Sequence, residues 1–178
     1  MKKLLFFLFV SSIYPQKIEF FPEILQTNPR NNHGMIFTTE KFFTQKRYFV
    51  VHQGKEGFYL KLKNPLRFKN QIFSVSGNCT IIEGSFAFFL VLKNQQNKTI
   101  NVPTEYKFLT ENNLNPYEIL FNDKRILKYL QQSNKTNTIQ DILNIELLGF
   151  LIVPHAFRTV FYCEEFSIKA KSFLIDVL

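Results

Sequence analysis

The sequence predicts an all-β fold, a two-sheet antiparallel β-sandwich with one short helix, and three observations carry that expectation. Short segments of alternating apolar and polar residues recur along the chain between breaks rich in Gly, Pro and Asn, which is the cadence of strands and turns. The 178 residues are 46% hydrophobic and include 22 Phe and no Trp, enough for one large core built chiefly from Phe, Leu and Ile. One stretch, 123–132, lacks Gly, Pro and a β-branched run and reads as a short helix. With 20% charged residues, 6 Gly and 7 Pro, disordered, collagen-like and coiled-coil classes are excluded. No internal repeat and no second globular domain is evident.

Residues 1–12 open with Lys2-Lys3, continue through the apolar run 4–10 and end in Ser11-Ser12, the order of a secretory signal peptide. The run is too short to cross a hydrocarbon layer, which needs about 20 apolar residues. No membrane span is expected, and the mature chain is expected to be secreted. Removing Lys2 and Lys3 lowers the formal net charge from +8 to about +6. The remaining basic residues are scattered, so the field is mildly positive and favours weak attraction to anionic surfaces. Residues 13–34, with Pro15, Pro22, Pro29 and the polar cluster 27–34, read as an extended lead-in and a loop. The sandwich domain is expected over 35–178.

Strands are expected at 35–39, 48–52, 58–63, 71–82, 86–93, 99–102, 105–109, 117–122, 143–153 and 158–169. In the fourth of these, Phe73, Val75, Cys79 and Ile81 share one face while Ser74, Ser76, Asn78 and Thr80 share the other, so one side packs and one is wetter. The stretch 86–92 is apolar on both parities and should be covered on both sides. Gly54-Lys55-Glu56-Gly57 reads as a hairpin turn.

Export would place Cys79 and Cys163 in an oxidising compartment. Their pairing would remove on the order of 4 kcal/mol of unfolded-state entropy; two buried free thiols are the other reading. Asn78, Asn97 and Asn134 each begin an Asn-x-Thr triplet, the acceptor pattern for N-glycosylation in a eukaryotic secretory route.

Chemistry is mostly excluded rather than indicated. His33, His52 and His155 each stand alone, without the spacing of a zinc site. The scattered glycines form no phosphate loop, and neither a cysteine nucleophile nor a nucleic-acid partner is expected. Glycoside hydrolysis needs two facing carboxylates, and nothing singles out pairs such as Glu83 with Glu118 or Glu146 with Glu164.

The stretch Asn70-Gln71-Ile72-Phe73-Ser74-Val75-Ser76-Gly77 is followed by the apolar strand at 86–92, by Tyr117-Glu118-Ile119-Leu120-Phe121, and by a closing pair at 145–150 and 159–168. Over 35–170 this order resembles the galactose-binding-like jelly roll of non-catalytic carbohydrate-binding modules. The ending Cys163-Glu164-Glu165-Phe166-Ser167-Ile168 is similar to that family's final strand, with Glu in place of Asp. Parity puts Glu164 on the face of Tyr162, Phe166 and Ile168, towards the core, where a carboxylate needs a partner. The resemblance implies a structural calcium ion there; a backbone amide or a Lys or Arg is the alternative. It also implies a sugar platform, for which Tyr59, Tyr106 and Tyr117 are the candidates, with Arg125 or Arg158 reaching hydroxyls or sulfates. The chain departs from the family in having no Trp.

The expected function is therefore a secreted, non-enzymatic module that binds an extracellular glycan. The alternative is a structural or interaction protein of a cell surface, wall or matrix, meeting protein partners through edge strands and Phe-rich faces. A hydrolase using an unrecognised carboxylate pair ranks third.

Overall fold

A computed structural model describes residues 16–18, 25–27, 37–41, 47–52, 58–104, 109–110, 116–133 and 144–172. In chain order the elements are β1 (Gln16–Ile18), β2 (Leu25–Thr27), β3 (Phe37–Lys41), β4 (Arg47–His52), β5 (Phe58–Phe68), β6 (Gln71–Glu83) and β7 (Ser85–Lys93). They continue as β8 (Thr99–Pro103), β9 (Leu109–Thr110), β10 (Tyr117–Phe121), α1 (Asp123–Ser133), β11 (Ile145–Pro154), β12 (Arg158–Cys163) and β13 (Phe166–Ser172). Every strand pairing is antiparallel, and the strands form two sheets. The all-β sandwich expected from the sequence is what the chain builds.

In the first sheet β6 lies between β10 and a ribbon made of β12 and β13 end to end. Beyond that ribbon, β4 and then β3 follow β12, and β1 lies along β13. The second sheet runs β2, β5, β11, β7, with β8 and β9 sharing the far edge of β7.

Between the layers sits a core dominated by phenylalanine. Phe58, Phe73, Phe86, Phe88, Phe121, Phe150, Phe161 and Phe166 are each less than 2% exposed, and each buried ring contributes roughly 1.5–3 kcal/mol of transfer free energy. The rings meet across the layers: Phe88 stacks on Phe166 with centroids 5.8 Å apart, and Phe86 tilts against Phe161 at 4.7 Å. Strand β7 behaves as its two-sided apolar pattern predicts, since Phe86, Phe88, Leu90 and Leu92 enter the core while outward Ala87 and Val91 are also buried.

The helix is also where the sequence puts it. Asn122 caps it by accepting the amide of Arg125 at 2.8 Å through its side-chain oxygen, satisfying one of the donors that a helix start leaves orphaned. Ile126 and Leu130, four residues apart and therefore on one face, are both about 1% exposed and seal α1 against β8 and β6. None of the helices among the described residues is long and apolar enough to cross a membrane.

Three expectations are corrected. The stretch 13–34 is more than a lead-in: β1 pairs with β13 and β2 with β5, so it supplies a strand to each sheet, and Ile18 is 5% exposed within the core. The hairpin expected at Gly54-Lys55-Glu56-Gly57 is the second: those residues lie outside the described ones, but the flanking strands β4 and β5 are not paired and belong to different sheets.

The third correction concerns the closing strand, which is broken at Glu164 and Glu165. Partner numbers against β6 sum to 242 at Cys163↔Cys79 and to 243 at Ser167↔Ser76, so one extra residue is inserted, a β-bulge. The bulge resets the parity: Cys163 and Phe166 both point inward, and Glu164 is turned to solvent instead of towards the core. Residues 1–12 lie outside the described residues, as do Tyr106 and Asn134.

Candidate functional site

The bulge changes the surroundings of Glu164. The Glu164 carboxylate accepts the Tyr162 hydroxyl, its backbone amide donates to the Asn78 carbonyl at 2.8 Å, and its neighbour Glu165 pairs with Lys17 at 3.0 Å. Among the described residues there is no group of three His, Cys, Asp or Glu side chains able to hold a metal ion. A calcium ion needs six to eight converging oxygens, so the described residues around Glu164 do not fit one.

The remaining sequence candidates are scattered over the molecule. Tyr117 lies on the inward parity of β10 with Ile119 and Phe121 and packs against the core. Arg125 ties the helix to the end of β8, its Nε donating to the Pro103 carbonyl at 2.7 Å and its Nη2 to that of Thr104 at 2.6 Å. Arg158 is paired with Glu83. Cys79 and Cys163 face one another across β6 and β12 with Cα atoms 4.0 Å apart and are joined by a disulfide. Asn78 is half-buried in β6, whereas Asn97 is exposed in the β7–β8 turn, where it takes a left-handed φ of 58°.

Carboxylate pairs do not converge either. Glu118 lies opposite Asn78 on β6, five residues from Glu83 and so about 17 Å along the strand at roughly 3.3 Å per residue. A glycosidase pair works across about 5–9.5 Å. Glu146 belongs to the second sheet and Glu164 to the first.

Tyr59 stands apart from the others because it is on the outward face of the second sheet, between the inward Phe58 and Leu60. Register lines up a row across four strands there: Tyr59 opposite Leu151, Leu151 opposite Phe89, and Phe89 opposite Pro103. All four side chains are half-buried. At about 4.8 Å per strand the row is roughly 14 Å wide. Burial pushes the Tyr59 hydroxyl up to about 12, because the ionised form loses its water. The group stays neutral near pH 7 and keeps a proton to donate.

Two residues along each strand comes a mixed row, Lys61, Gly149, Val91 and Asn101. Its two central positions, Gly149 and Val91, are buried. Further on, Arg67, Glu146, Lys93 and Thr99 align as a charged row. Arg67 holds the Glu146 carboxylate at 2.8 Å and Lys93 holds it at 3.6 Å. Beside this row opens a groove of about 240 Å³, walled also by Lys69, Asn94, Gln95, Asn97 and Asn144 and, at its base, by the core residues Phe68 and Ile145. Phe89 and Lys93 are four residues apart on β7, so the apolar row and the groove are about 13 Å apart.

Sequence reasoning missed Phe89, Leu151, Pro103 and the groove. A signal for the first two existed, an apolar residue on the outward parity of β7 and of β11. Their alignment with Tyr59 was not legible, because it depends on pairing strands that lie far apart in sequence.

No family model matches the chain, and neither does any curated protein. Solved structures with a similar chain path include the CBM22-1 and GH10 modules of endo-1,4-β-D-xylanase 10B from Clostridium thermocellum complexed with xylohexaose. That match has a TM-score of 0.46 and 12% identity, over 89% of this chain and 28% of the other. A second is the CBM22-1 xylan-binding domain of Xyn10C from Paenibacillus barcinonensis, at TM-score 0.40 and 9% identity over 82% and 81% of the two chains. A third is the xyloglucanase domain of the type three effector NopAA from Sinorhizobium fredii, in complex with cellobiose, at TM-score 0.35 and 10% identity over 88% and 99%. This chain thus spans 28% of the length of the first. Two of the three bear the carbohydrate-binding-module name that the sequence resemblance implies; with every TM-score at 0.46 or lower, the likeness says nothing about a ligand of this chain.

Proposed function

We propose that the protein is a secreted, non-enzymatic β-sandwich module that binds an extracellular glycan along the outward face of its second sheet. The observation that supports it most is the register-aligned row Tyr59, Leu151, Phe89 and Pro103, with the groove beside Arg67, Glu146 and Lys93 further along the same strands. Sugar rings are amphipathic. Their C–H faces cover apolar and aromatic side chains, while a few placed polar groups take the hydroxyls and set orientation. The neutral Tyr59 hydroxyl and the amides of Gln95 and Asn97 are groups of that second kind.

The non-enzymatic part rests on the carboxylates of this face. Among the described residues lining the groove Glu146 is the one carboxylate, held between two cations, and by itself it offers no acid–base pair for glycoside cleavage. Secretion is favoured by the order of residues 1–12 and by the Cys79–Cys163 disulfide, a bond that persists in oxidising compartments.

The test is a glycan array with the intact protein and with Tyr59→Ala/Phe89→Ala. Both side chains point away from the core, so the variant should keep its far-ultraviolet circular dichroism. A hit whose affinity drops about tenfold or more in the variant supports the reading, as does an unchanged glycan chain length after prolonged incubation. Silence across neutral and acidic glycans contradicts it.

A further inference from the structure

We propose that the charged end of this face selects an anionic sugar, one carrying a carboxylate or sulfate substituent; the inference rests on the glycan-binding reading of the same face. The groove walls carry three cationic side chains, Arg67, Lys69 and Lys93, against one carboxylate, Glu146. Glu146 orders two of those cations without using them up: the Arg67 side chain is 73% exposed while its Nε binds the carboxylate, which leaves guanidinium N–H groups turned outward. Lys69 has no carboxylate partner among the described residues. The lining therefore keeps an excess of two positive charges around a concave space.

Planar guanidinium forks match carboxylate and sulfate oxygens, and an ammonium adds a point charge. The Gln95 and Asn97 amides add neutral donors to the lining. A neutral sugar would gain little from such a lining. An acidic sugar offsets the excess charge while its neighbours in the chain extend over the mixed row towards Tyr59 and Phe89. Because these cations are exposed, the attraction is salt-sensitive, with a Debye length of about 8 Å at physiological ionic strength.

The experiment uses the full chain produced without N-glycans, because Asn97 both lines the groove and begins an Asn-x-Thr triplet. Affinities are measured for dextran, dextran sulfate and polygalacturonate, with inorganic sulfate as competitor. At least one charged polymer should bind about tenfold more tightly than dextran, and Arg67→Gln/Lys69→Gln should cut that affinity roughly tenfold. The control Lys124→Gln/Lys128→Gln removes the same charge from the exposed side of α1 and should change it less than twofold.

Binding of neither dextran sulfate nor polygalacturonate more tightly than dextran overturns the anion selection and leaves glycan binding standing. An equal loss in the helix control overturns it too, because the attraction is then diffuse. Inorganic sulfate binding as tightly as the polymers replaces the sugar with a free anion. Binding of no polysaccharide at all overturns both this inference and the reading on which it rests.

Discussion

At Gly149 a single missing side chain holds two strand contacts in place. The register of β11 shifts between Leu147 and Gly149 against both β5 and β7. The glycine takes φ +154° there, and a Cβ would run into the Leu60 carbonyl oxygen. Backbone cannot swing aside as the end of a side chain can. Gly149→Ala is therefore expected to lower stability by about 2–4 kcal/mol, read as the shift in a urea midpoint at unchanged m-value. Tyr59 gives a second expectation on the same scale. Its folded pKa of about 12 lies above the ordinary 10.0, so the folded state holds the proton more tightly than the unfolded chain. The stability linked to this group is complete below pH 10 and is lost as pH rises towards 12. Tyr59→Phe should flatten that alkaline decline in thermal midpoints, and an identical decline in both proteins would refute the linkage.

Residue-level legibility ended at Glu164. Its type and its place between Cys163 and Phe166 were read correctly, but its direction was not. Strict alternation has no means of registering one inserted residue, and the bulge that turns the carboxylate outward is set by how β12 and β13 fit β6.

Elements were the most legible scale. The helix stood out because Asn122 supplies a cap and Ile126 and Leu130 repeat at the spacing of one helical face. The strands stood out through the period of two along β6 and the two-sided apolar run of β7. Local pattern determines such features, and the chain keeps them. Asn122→Ala is expected to cost about 1 kcal/mol, since it leaves the Arg125 amide without its 2.8 Å partner; a calorimetric or denaturant titration measures it. Pairing was what remained hidden. The row of Tyr59, Leu151, Phe89 and Pro103 draws on β5, β11, β7 and β8, and no single segment signals that its outward residues will meet those of another. The same blindness paired β4 with β5 and left β1 and β2 out of the sheets.

For the molecule as a whole, the disulfide is the clearest long-range constraint. It joins residues 84 apart across two strands that are already paired, so its chief effect in the chain-entropy model is on the unfolded state. Replacing both Cys79 and Cys163 with Ala should cost on the order of 4 kcal/mol while leaving the β-sheet circular dichroism of the folded form intact. A stability equal to that of the parent would contradict this. The Phe content finds its place at this scale as well. Among the described residues only Leu120 and Phe157 are large hydrophobic side chains left exposed. Among the described residues most of the rings therefore serve the core. The outward side of the second sheet carries both apolar and polar groups in register.

That surface is the centre of the account, and an NMR titration of the isotopically labelled protein with its tightest array glycan examines it directly. Amide shifts should concentrate at Tyr59, Phe89, Leu151 and Lys93, with the first sheet silent. Shifts gathered on the outward side of β6, β10 and β13 instead, or none at saturating glycan, would contradict it.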